Sequence, residues 1–429
     1  AFLIALFFVG CSAEDKLGME TNQREQKAIV GQKSNLPNWT MNKSFGPGYN
    51  GKITYGDNKI IDPTTFMGER KTLFKGSGGN YYRIPALLTL KNGDILAFAD
   101  YRYNGAGDLP NQIEVWVRKS KDNGTNWGLI KRVTPASRSK RDGHGDIGVV
   151  LDRNSGDIVT VVASGQGFFQ STASDPIRIK VIRSKDNGET WLAPVDITSQ
   201  IYGAKCKDPV RKNWQGVFST SGNGIQLRNG RIMFVLVVRE TNSKFVKNYV
   251  MYSDDGGYNW KVGGSPENPR GGNEAKVAEL NDGSLLMHIR WTPNRLQSRS
   301  YDNGKTWTEA TVVNDIPASS SNGDLIVYTS KLNGYDKNRL ITMVDSRPWG
   351  SGNPGIPVFY VSYDEGRTWS KKRTVWNSDA GYSSLAILKD GSIGILTELT
   401  QPWRGPIWFL RTSIEWVNPD DNPKSPKEN

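Results

Sequence analysis

One octapeptide pattern, Ser-x-Asp-x-Gly-x-x-Trp, occurs five times in the 429-residue chain. An Asp side chain can accept hydrogen bonds from backbone N–H groups just after it, and Gly can supply the positive φ that closes a tight turn. The pattern therefore predicts five similar hairpin turns, each with a Trp ring packed beneath it. Its copies span Ser120–Trp127, Ser184–Trp191, Ser253–Trp260, Ser300–Trp307 and Ser362–Trp369.

The segments around these octapeptides have the apolar or alternating character of β-strands, and a second set of turn signals lies between them. Two hairpins in each unit of roughly 60 residues indicate four-stranded sheets, and such sheets repeated radially form a β-propeller. We therefore predict an all-β protein, a six-bladed β-propeller over residues 66–418. The strand-like segments are Ile113–Arg118, Ile177–Arg183, Ile232–Val238 and Val358–Val361, and the second turns are Asn92–Asp94, Asn229–Arg231, Asp282–Ser284 and Asp390–Ser392.

Composition excludes several other classes of protein. With 36% hydrophobic and 10% aromatic residues, the chain is too apolar to be disordered. Its two His and two Cys exclude a multi-His metal centre, a disulfide scaffold and a Cys-rich zinc site. The net charge is +12, but no Lys- or Arg-dense arm is present, so we expect a basic surface and no nucleic-acid partner.

The N-terminal segment predicts export from the cell. Residues 1–10 are an apolar run that is too short to span about 30 Å of hydrocarbon but fits a signal-peptide core. The following Cys11 resembles the cysteine that is lipidated in a bacterial lipobox, so residues 1–13 are predicted to be a signal or lipobox remnant. The alternative is a secretory signal that is cut after Ala13. We expect a cell-envelope lipoprotein, periplasmic or at the cell surface, or a secreted protein, with membrane contact only through a lipid on Cys11.

The rest of the chain is predicted to have three parts. Residues 14–65 are largely polar and are interpreted as a tether with a lead-in strand. Residues 66–418 form the propeller, and residues 419–429 have the composition of a disordered tail. We expect a monomer.

The octapeptides resemble the Asp boxes, or BNR repeats, of sialidases and of other propellers, where they are turn devices. We therefore assign no catalytic role to them. A second motif, Tyr82–Leu87 (YRIPAL), resembles the Arg-Ile-Pro motif that opens the sialidase catalytic domain. From there the chain is similar to bacterial exo-α-sialidases (neuraminidases) over most of residues 70–410. The resemblance implies a glycoside hydrolase that releases terminal sialic acid from a sialylated glycan.

The resemblance also implies a clamp of three arginines for the carboxylate of sialic acid, a role that suits the bidentate guanidinium group. Arg83, in the Arg-Ile-Pro motif, matches the first arginine, and Arg290 matches the second. Arg347 is the candidate for the third, although residues 350–357 contain no Arg where the family often has one.

The family uses a Tyr as its nucleophile, which avoids the repulsion between a carboxylate nucleophile and the carboxylate of the substrate. Tyr382 resembles this nucleophile, and Glu274 resembles its base, with Glu279 as the alternative. Asp108 fits the general acid, with Asp100 as the alternative. These assignments imply hydrolysis with retention through a tyrosyl–sialic acid intermediate.

Three further residues resemble supporting positions of the family. Glu398 resembles the carboxylate that orients the first arginine, and Arg102 and Asp146 resemble residues near the 4-hydroxyl of the sugar. This mechanism needs no metal and no cofactor. The alternatives are a trans-sialidase, including an intramolecular one, and a catalytically silent propeller that binds sialoglycans. The joint presence of Asp108, Glu274 and Tyr382 favours an enzyme.

Overall fold

The computed structural model of the protein describes residues 53–55, 59–61, 70–318, 321–346, 355–377, 379–399 and 404–421. The predictions for Cys11 and Arg347 lie outside these ranges. The first two strands, β1 (Ile53–Tyr55) and β2 (Lys59–Ile61), form a small antiparallel hairpin. The next strand, β3 (Lys71–Phe74), belongs to the propeller.

Six further sheets of four or five strands are formed by the described residues. Blade 1 contains β4 (Tyr81–Thr89), β5 (Ile95–Arg102), β6 (Ile113–Ser120) and β7 (Lys131–Arg132). Blade 2 contains β8 (His144–Leu151), β9 (Ile158–Ser164), β10 (Arg178–Ser184) and β11 (Val195–Asp196). Blade 3 contains β12 (Gly216–Ser219), β14 (Ile225–Gln226), β15 (Ile232–Arg239), β16 (Lys247–Ser253) and β17 (Lys261–Val262), while β13 (Gly222–Asn223) pairs with β8 of blade 2.

The last three blades complete the ring. Blade 4 contains β18 (Ala275–Glu279), β19 (Leu285–Ile289), β20 (Asn294–Ser300) and β21 (Thr311–Pro317). Blade 5 contains β22 (Asp324–Thr329), β23 (Arg339–Ser346), β24 (Ile356–Ser362) and β25 (Lys371–Thr374). Blade 6 contains β26 (Ala380–Ile387), β27 (Ile393–Leu399), β28 (Ile407–Thr412) and, as its outermost strand, β3.

The predicted six-bladed β-propeller is therefore confirmed. Pairing of β3 with β28 brings the two ends of the propeller into one sheet. The core consists of apolar layers between neighbouring blades, and Leu87 and Ala97 of blade 1, for example, are fully buried in one cluster with Leu396 and Phe409 of blade 6. The short helices are α1 (Thr198–Ile201), α2 (Ile414–Val417) and two 3₁₀ turns (Arg211–Asn213 and Lys331–Asn333). No helix in the described ranges is long and apolar enough to cross a membrane.

Each octapeptide connects the third strand of a blade to its outermost strand, as in the copy between β6 and β7. Asp122 accepts hydrogen bonds from the Ser120 hydroxyl (2.9 Å) and from the Asn126 N–H (2.8 Å). Two consecutive residues have left-handed φ values, Asn123 (54°) and Gly124 (83°), so the turn needs one more positive φ than we predicted. In blade 6 the outermost strand is β3, which does not follow β28 in the chain. That closure explains why five octapeptides serve six blades.

The C-terminal end of the fold differs from the predicted boundary at residue 419. Asp421 is fully buried, and its carboxylate accepts hydrogen bonds from Arg339 Nη2 (2.6 Å), Arg339 Nε (2.7 Å) and the Tyr363 hydroxyl (2.8 Å). Asp421 therefore packs against blade 5, and the fold extends beyond the predicted boundary. The polar composition of residues 419–429 concealed this, because a buried Asp is stable only with partners that composition cannot reveal.

Candidate active site

The candidate site lies at the face of the propeller where the innermost strands begin, which we call the site face. Arg83, Asp146 and Tyr382 are each the third residue of an innermost strand, in β4, β8 and β26. Glu274 immediately precedes β18. The same position in several blades therefore supplies side chains to one region around the axis.

The second strand of each blade runs antiparallel to the first, so its last residues also reach the site face. Arg102 is the last residue of β5, and Glu398 is the second to last residue of β27. Arg290 follows directly after β19, and Asp108 lies in the connection between β5 and β6. All these residues, which the chain separates by as many as 315 positions, are thus gathered at one face.

Backbone bulges reorient three of the innermost strands. The pairing register shifts between Arg83 and Ala86 in β4, between Gly145 and Gly148 in β8 and between Ala380 and Ser383 in β26. Two residues in these bulges have left-handed φ values, Ile84 (57°) and Asp146 (54°), an unfavourable conformation for a β-branched residue such as Ile84. Bulges of this kind change the direction of a side chain and are frequent next to active sites.

Tyr382, Glu274 and Arg290 form a hydrogen-bonded cluster. The Tyr382 hydroxyl donates to Glu274 Oε2 at 2.6 Å, and Arg290 Nη1 donates to that hydroxyl oxygen at 2.8 Å and also to Glu274 Oε2. Burial, followed by the charge of Glu274, raises the pKa of Tyr382 well above its ordinary value, although Arg290 and Arg83 act in the opposite direction. The phenol is therefore neutral, with an acceptor already in place for its proton.

The alternative base, Glu279, is the last residue of β18 and so lies away from the site face. Its carboxylate accepts a hydrogen bond from the Arg228 N–H at 2.7 Å and lies 3.4 Å from the Arg228 guanidinium. It is Glu274 that contacts the Tyr382 hydroxyl.

Glu398 connects the first predicted arginine to the strand of the predicted nucleophile. Its carboxylate accepts hydrogen bonds from Arg83 Nε (3.2 Å) and Nη2 (3.3 Å), from the Ile84 N–H (3.0 Å) and from the Tyr382 N–H (3.3 Å). Glu398 therefore stabilises the strained Ile84 backbone and fixes Arg83 beside Tyr382, with the guanidinium carbon 5.1 Å from the ring centroid.

The two candidates for the acid have opposite environments. The Asp108 side chain is 74% exposed, whereas that of Asp100 is fully buried. Desolvation would raise the pKa of Asp108, but the charge and hydrogen bond of Arg102 lower it below its ordinary value. Burial raises the pKa of Asp100 to about 6 in spite of Arg102. Only Asp108 is placed where an incoming molecule can reach its carboxylate.

Arg102 lies fully buried between these two aspartates. Its Nη1 donates to Asp108 Oδ1 (2.6 Å) and to the Ala106 carbonyl oxygen (2.7 Å), and its Nη2 donates to Asp100 Oδ2 (3.2 Å). The Asp146 N–H donates to the same Asp100 oxygen at 3.1 Å. Burial, together with the charges of Asp100 and Asp108, raises the pKa of the Asp146 carboxyl well above its ordinary value. Contact of Arg102 and Asp146 with a sugar hydroxyl stays a prediction.

Sequence reasoning missed two features of this region. It did not connect Asp100 with Arg102, although residues two apart on a strand share a face, and this spacing was the available signal. It also missed Arg295 of β20, a buried guanidinium that donates to the Asn322 carbonyl oxygen at 2.8 Å. Burial and then the charge of Arg290 lower the pKa of Arg295 to about 9. Within the described ranges, no group of three or more His, Cys, Asp or Glu could hold a metal ion.

A family model described as a BNR repeat-like domain matches residues 93–395. The chain belongs to the BNR repeat-like family. Among curated proteins, it is 31% identical to the sialidase of Bacteroides fragilis over 341 residues, which cover 74% of this chain and 60% of that protein. It is also 31% identical to the sialidase of Micromonospora viridifaciens over 352 residues, which cover 78% of this chain and 52% of that protein. The resemblance to bacterial sialidases that the motifs predicted is thereby confirmed.

Solved structures agree with this family membership. A Hadza microbial sialidase superimposes with a TM-score of 0.69 at 25% identity, covering 79% of this chain and 66% of that one. A leech intramolecular trans-sialidase superimposes with a TM-score of 0.70 at 19% identity, covering 84% of this chain and 72% of that one, which supports the fold alone. This member of the family spans about half to three fifths of the length of the two curated relatives above.

Proposed function

We propose that the protein is an exo-α-sialidase, which hydrolyses terminal sialic acids from glycoproteins, glycolipids or oligosaccharides. The observation that carries this proposal is the contact of the Tyr382 hydroxyl with Glu274 Oε2, which Arg290 shares. An ordinary buried Tyr needs one hydrogen-bond partner, whereas this one has both a proton acceptor and a cation. The curated relatives named above are sialidases, which supports the same assignment.

The first chemical step would form a covalent tyrosyl intermediate. Arg83 and Arg290 bind the carboxylate of the substrate and place its anomeric carbon near Tyr382. The phenolic oxygen attacks that carbon while Glu274 takes the phenolic proton. Asp108 has to be protonated for this step, although Arg102 lowers its pKa in the free protein, and it donates that proton to the glycosidic oxygen as the bond to the aglycone breaks. Burial raises the pKa of Tyr382, so the phenol keeps its proton until Glu274 accepts it.

The second step would release the sugar with retained configuration. Asp108, now a carboxylate, removes a proton from water, which attacks the anomeric carbon, and Glu274 returns its proton to the phenolic oxygen. Two displacements at one carbon restore the original configuration. Arg290 contacts both Tyr382 and Glu274, so it stabilises the negative charge whichever of the two oxygens carries it.

The first test is turnover of an umbelliferyl α-sialoside by the purified protein, beside Tyr382→Phe and Asp108→Ala. We expect turnover by the parent and a large loss in Tyr382→Phe, and the anomer that forms first, observed by NMR, should be α. A fluorinated sialosyl fluoride should label the peptide that contains Tyr382. No turnover by a folded parent would overturn the proposal and favour a sialoglycan-binding propeller. Formation of a 2,7-anhydro product would instead assign an intramolecular trans-sialidase.

The proposal also includes the third arginine, the lipid anchor and the oligomeric state. Arg347 is proposed as the third carboxylate ligand, and Arg347→Ala should raise KM. Export as a lipoprotein should require Cys11, so Cys11→Ser in the precursor should abolish labelling by a fatty acid in a bacterial host. A monomer is proposed in solution, and light scattering measures its mass directly.

A further inference from the structure

The contact between Asp100 and Arg102 lies beneath the predicted acid and has no role in the mechanism proposed above. Both side chains are completely buried. The Asp100 Oδ2 atom accepts from Arg102 Nη2, and Arg102 Nη1 accounts for the contacts with Asp108 and the Ala106 carbonyl. One guanidinium therefore joins a buried carboxylate of β5 to the exposed tip of the loop that carries the acid.

A second buried pair in the molecule shows what a purely structural arrangement looks like. Asp421 uses both of its carboxylate oxygens with Arg339, at 2.6 and 2.7 Å. Asp100 instead contacts Arg102 through one oxygen, and its Oδ1 has no hydrogen-bond partner among the described residues. An unsatisfied buried oxygen costs stability, so such a group calls for a functional explanation.

The division of Arg102 between its partners supplies that explanation. An end-on bidentate pair, through both terminal nitrogens, would direct Nη1 of Arg102 towards Asp100 and away from the loop. A side-on pair through Nε and Nη2 would leave Nη1 free, as it is in Arg339, where Nη1 donates to Asp336. With a single contact to Asp100, Nη1 remains available for Ala106 and Asp108. Gly145 leaves room for this arrangement, since a Cβ atom there would approach Asp100 Oδ2 to 2.8 Å.

We propose that Asp100 is a positioning residue, which holds Arg102 as the anchor of the segment from Ala106 to Asp108 and so fixes the acid relative to the sugar. This inference rests on the proposed sialidase function. Asp100 itself touches no substrate, because its side chain is fully buried.

The test compares two substrates that differ in their need for an acid. An umbelliferyl group leaves with little protonation, whereas the lactose of a sialyllactose needs a proton on its oxygen. Asp100→Asn should lower kcat/KM for the sialyllactose by about 10²-fold, since misplacing a catalytic group by about 1 Å has such an effect. For the umbelliferyl sialoside, kcat/KM should fall by less than about threefold, because general acid catalysis contributes little to its cleavage.

The matched control is Asp157→Asn, since Asp157 is another buried aspartate that pairs with an arginine, Arg183, at 3.2 Å. This variant should change kcat/KM by the same factor for both substrates. If Asp100→Asn unfolds, Arg102→Lys tests the same link, because a single ammonium cannot bridge Asp100, Ala106 and Asp108 with the geometry of a guanidinium. Any lost contact of Arg102 with the sugar lowers kcat/KM for both substrates, so the expected result is a loss on the sialyllactose at least tenfold larger than the loss on the umbelliferyl sialoside, about the difference that general acid catalysis makes.

Two outcomes would overturn the inference while leaving the proposed function intact. In the first, the parent is active and Asp108→Ala is selectively impaired on the sialyllactose, but Asp100→Asn lowers kcat/KM equally for both substrates. That result would indicate a role of Asp100 in sugar binding or folding. In the second, Asp100→Asn has the same kcat/KM as the parent on both substrates. A folded parent that cleaves neither substrate would instead refute the proposed function, and this inference with it.

Discussion

The octapeptide turns, which we call the rim of the propeller, and the site face use aspartates in opposite ways. At the rim, Asp186 accepts hydrogen bonds from the Thr190 N–H and the Ser184 hydroxyl, each at 2.9 Å. Desolvation opposes these bonds, but together with a hydrogen bond from the Thr190 hydroxyl they lower the pKa of Asp186 to about 2. At the site face, burial dominates and raises the pKa of Asp100 to about 6.

The comparison shows that repetition and chemistry are separate signals in this chain. The rim aspartates recur because every hairpin of this kind needs the same turn, whatever the propeller does. The carboxylates of the site face occur once each and have different partners, such as Tyr382 for Glu274 and Arg83 for Glu398. The most frequent motif therefore reports the architecture, and the unrepeated residues report the function.

Tyr382→Phe is expected to have the largest effect. Removing the nucleophilic oxygen should lower kcat by at least about 10³-fold, as loss of a covalent nucleophile does in other enzymes. Steady-state kinetics on an umbelliferyl sialoside measures this. Tyr360→Phe, which removes another buried hydroxyl, should leave kcat unchanged. Activity of Tyr382→Phe within tenfold of the parent would contradict the assignment of the nucleophile.

Glu274→Gln should follow closely. The amide cannot take the phenolic proton, so kcat should fall by about 10²- to 10⁴-fold. Glu279→Gln is the matched control, because Glu279 belongs to the same strand but contacts Arg228 instead of Tyr382. The kinetics of both variants decide between the two glutamates. Equal losses in both would show that the effect does not depend on contact with Tyr382.

Glu398→Gln should have an intermediate effect on binding. Loss of the charge that orients Arg83 should raise KM and lower kcat/KM by about tenfold, with a loss of about 1–3 kcal/mol in the free energy of unfolding. Asp421→Asn removes a buried charge from Arg339, far from the predicted clamp, and should destabilise the fold without changing KM. Steady-state kinetics combined with urea unfolding distinguishes an effect on substrate binding from an effect on stability. A raised KM in Asp421→Asn would argue that the site responds to any loss of stability.

Asp302→Ala tests the rim. Asp302 accepts hydrogen bonds from the Thr306 N–H (2.9 Å), the Thr306 hydroxyl (2.6 Å) and the Ser300 hydroxyl (2.9 Å). Its loss should lower the free energy of unfolding by about 1–2 kcal/mol while kcat/KM stays within about twofold of the parent. Lys305→Ala, in the same turn, should change neither quantity. A large drop in kcat at preserved stability would give the rim a role in catalysis.

The dependence of stability on pH should differ in sign between the two regions. Asp100 has a raised pKa, so the native state binds its proton first, and stability rises as the pH falls from about 6 to about 4. Asp186 has a lowered pKa, so the unfolded state binds its proton first, and stability falls as the pH drops from about 4 to about 2.

Urea unfolding between about pH 7 and pH 2 measures both contributions. Asp100→Asn should remove part of the rise between about pH 6 and pH 4. Asp186→Asn should reduce the loss of stability at acid pH by less than about 1 kcal/mol, because the side chain lies in solvent. Identical pH profiles for both variants and the parent would mean that the contrast between the two regions has no effect on stability.

Much of the fold could be predicted from short segments. The turn of an octapeptide depends on atoms within eight residues, such as the contact of Asp122 with the Asn126 N–H. The single assignments of Glu274, Tyr382, Arg83 and Glu398 came from resemblance, and the structure brings these four side chains together. What composition and resemblance missed were pairings that depend on distant segments, such as that of Asp421 with Arg339.

Turn propensities and strand patterns act over short distances, so the hairpins, the number of blades and the residue types available for chemistry follow from the amino-acid sequence. Three other features arise in the folded protein: β3 closes blade 6, Ile84 adopts a left-handed conformation, and Arg102 is shared between Asp100 and Asp108. The first two depend on ring closure, which sets Arg83 and Ile84 against Glu398, more than 300 residues away in the chain. The third lies within blade 1 and depends on the burial of Arg102 and Asp100. Burial at such contacts then fixes the charge and direction of each side chain, which no local stretch of sequence encodes.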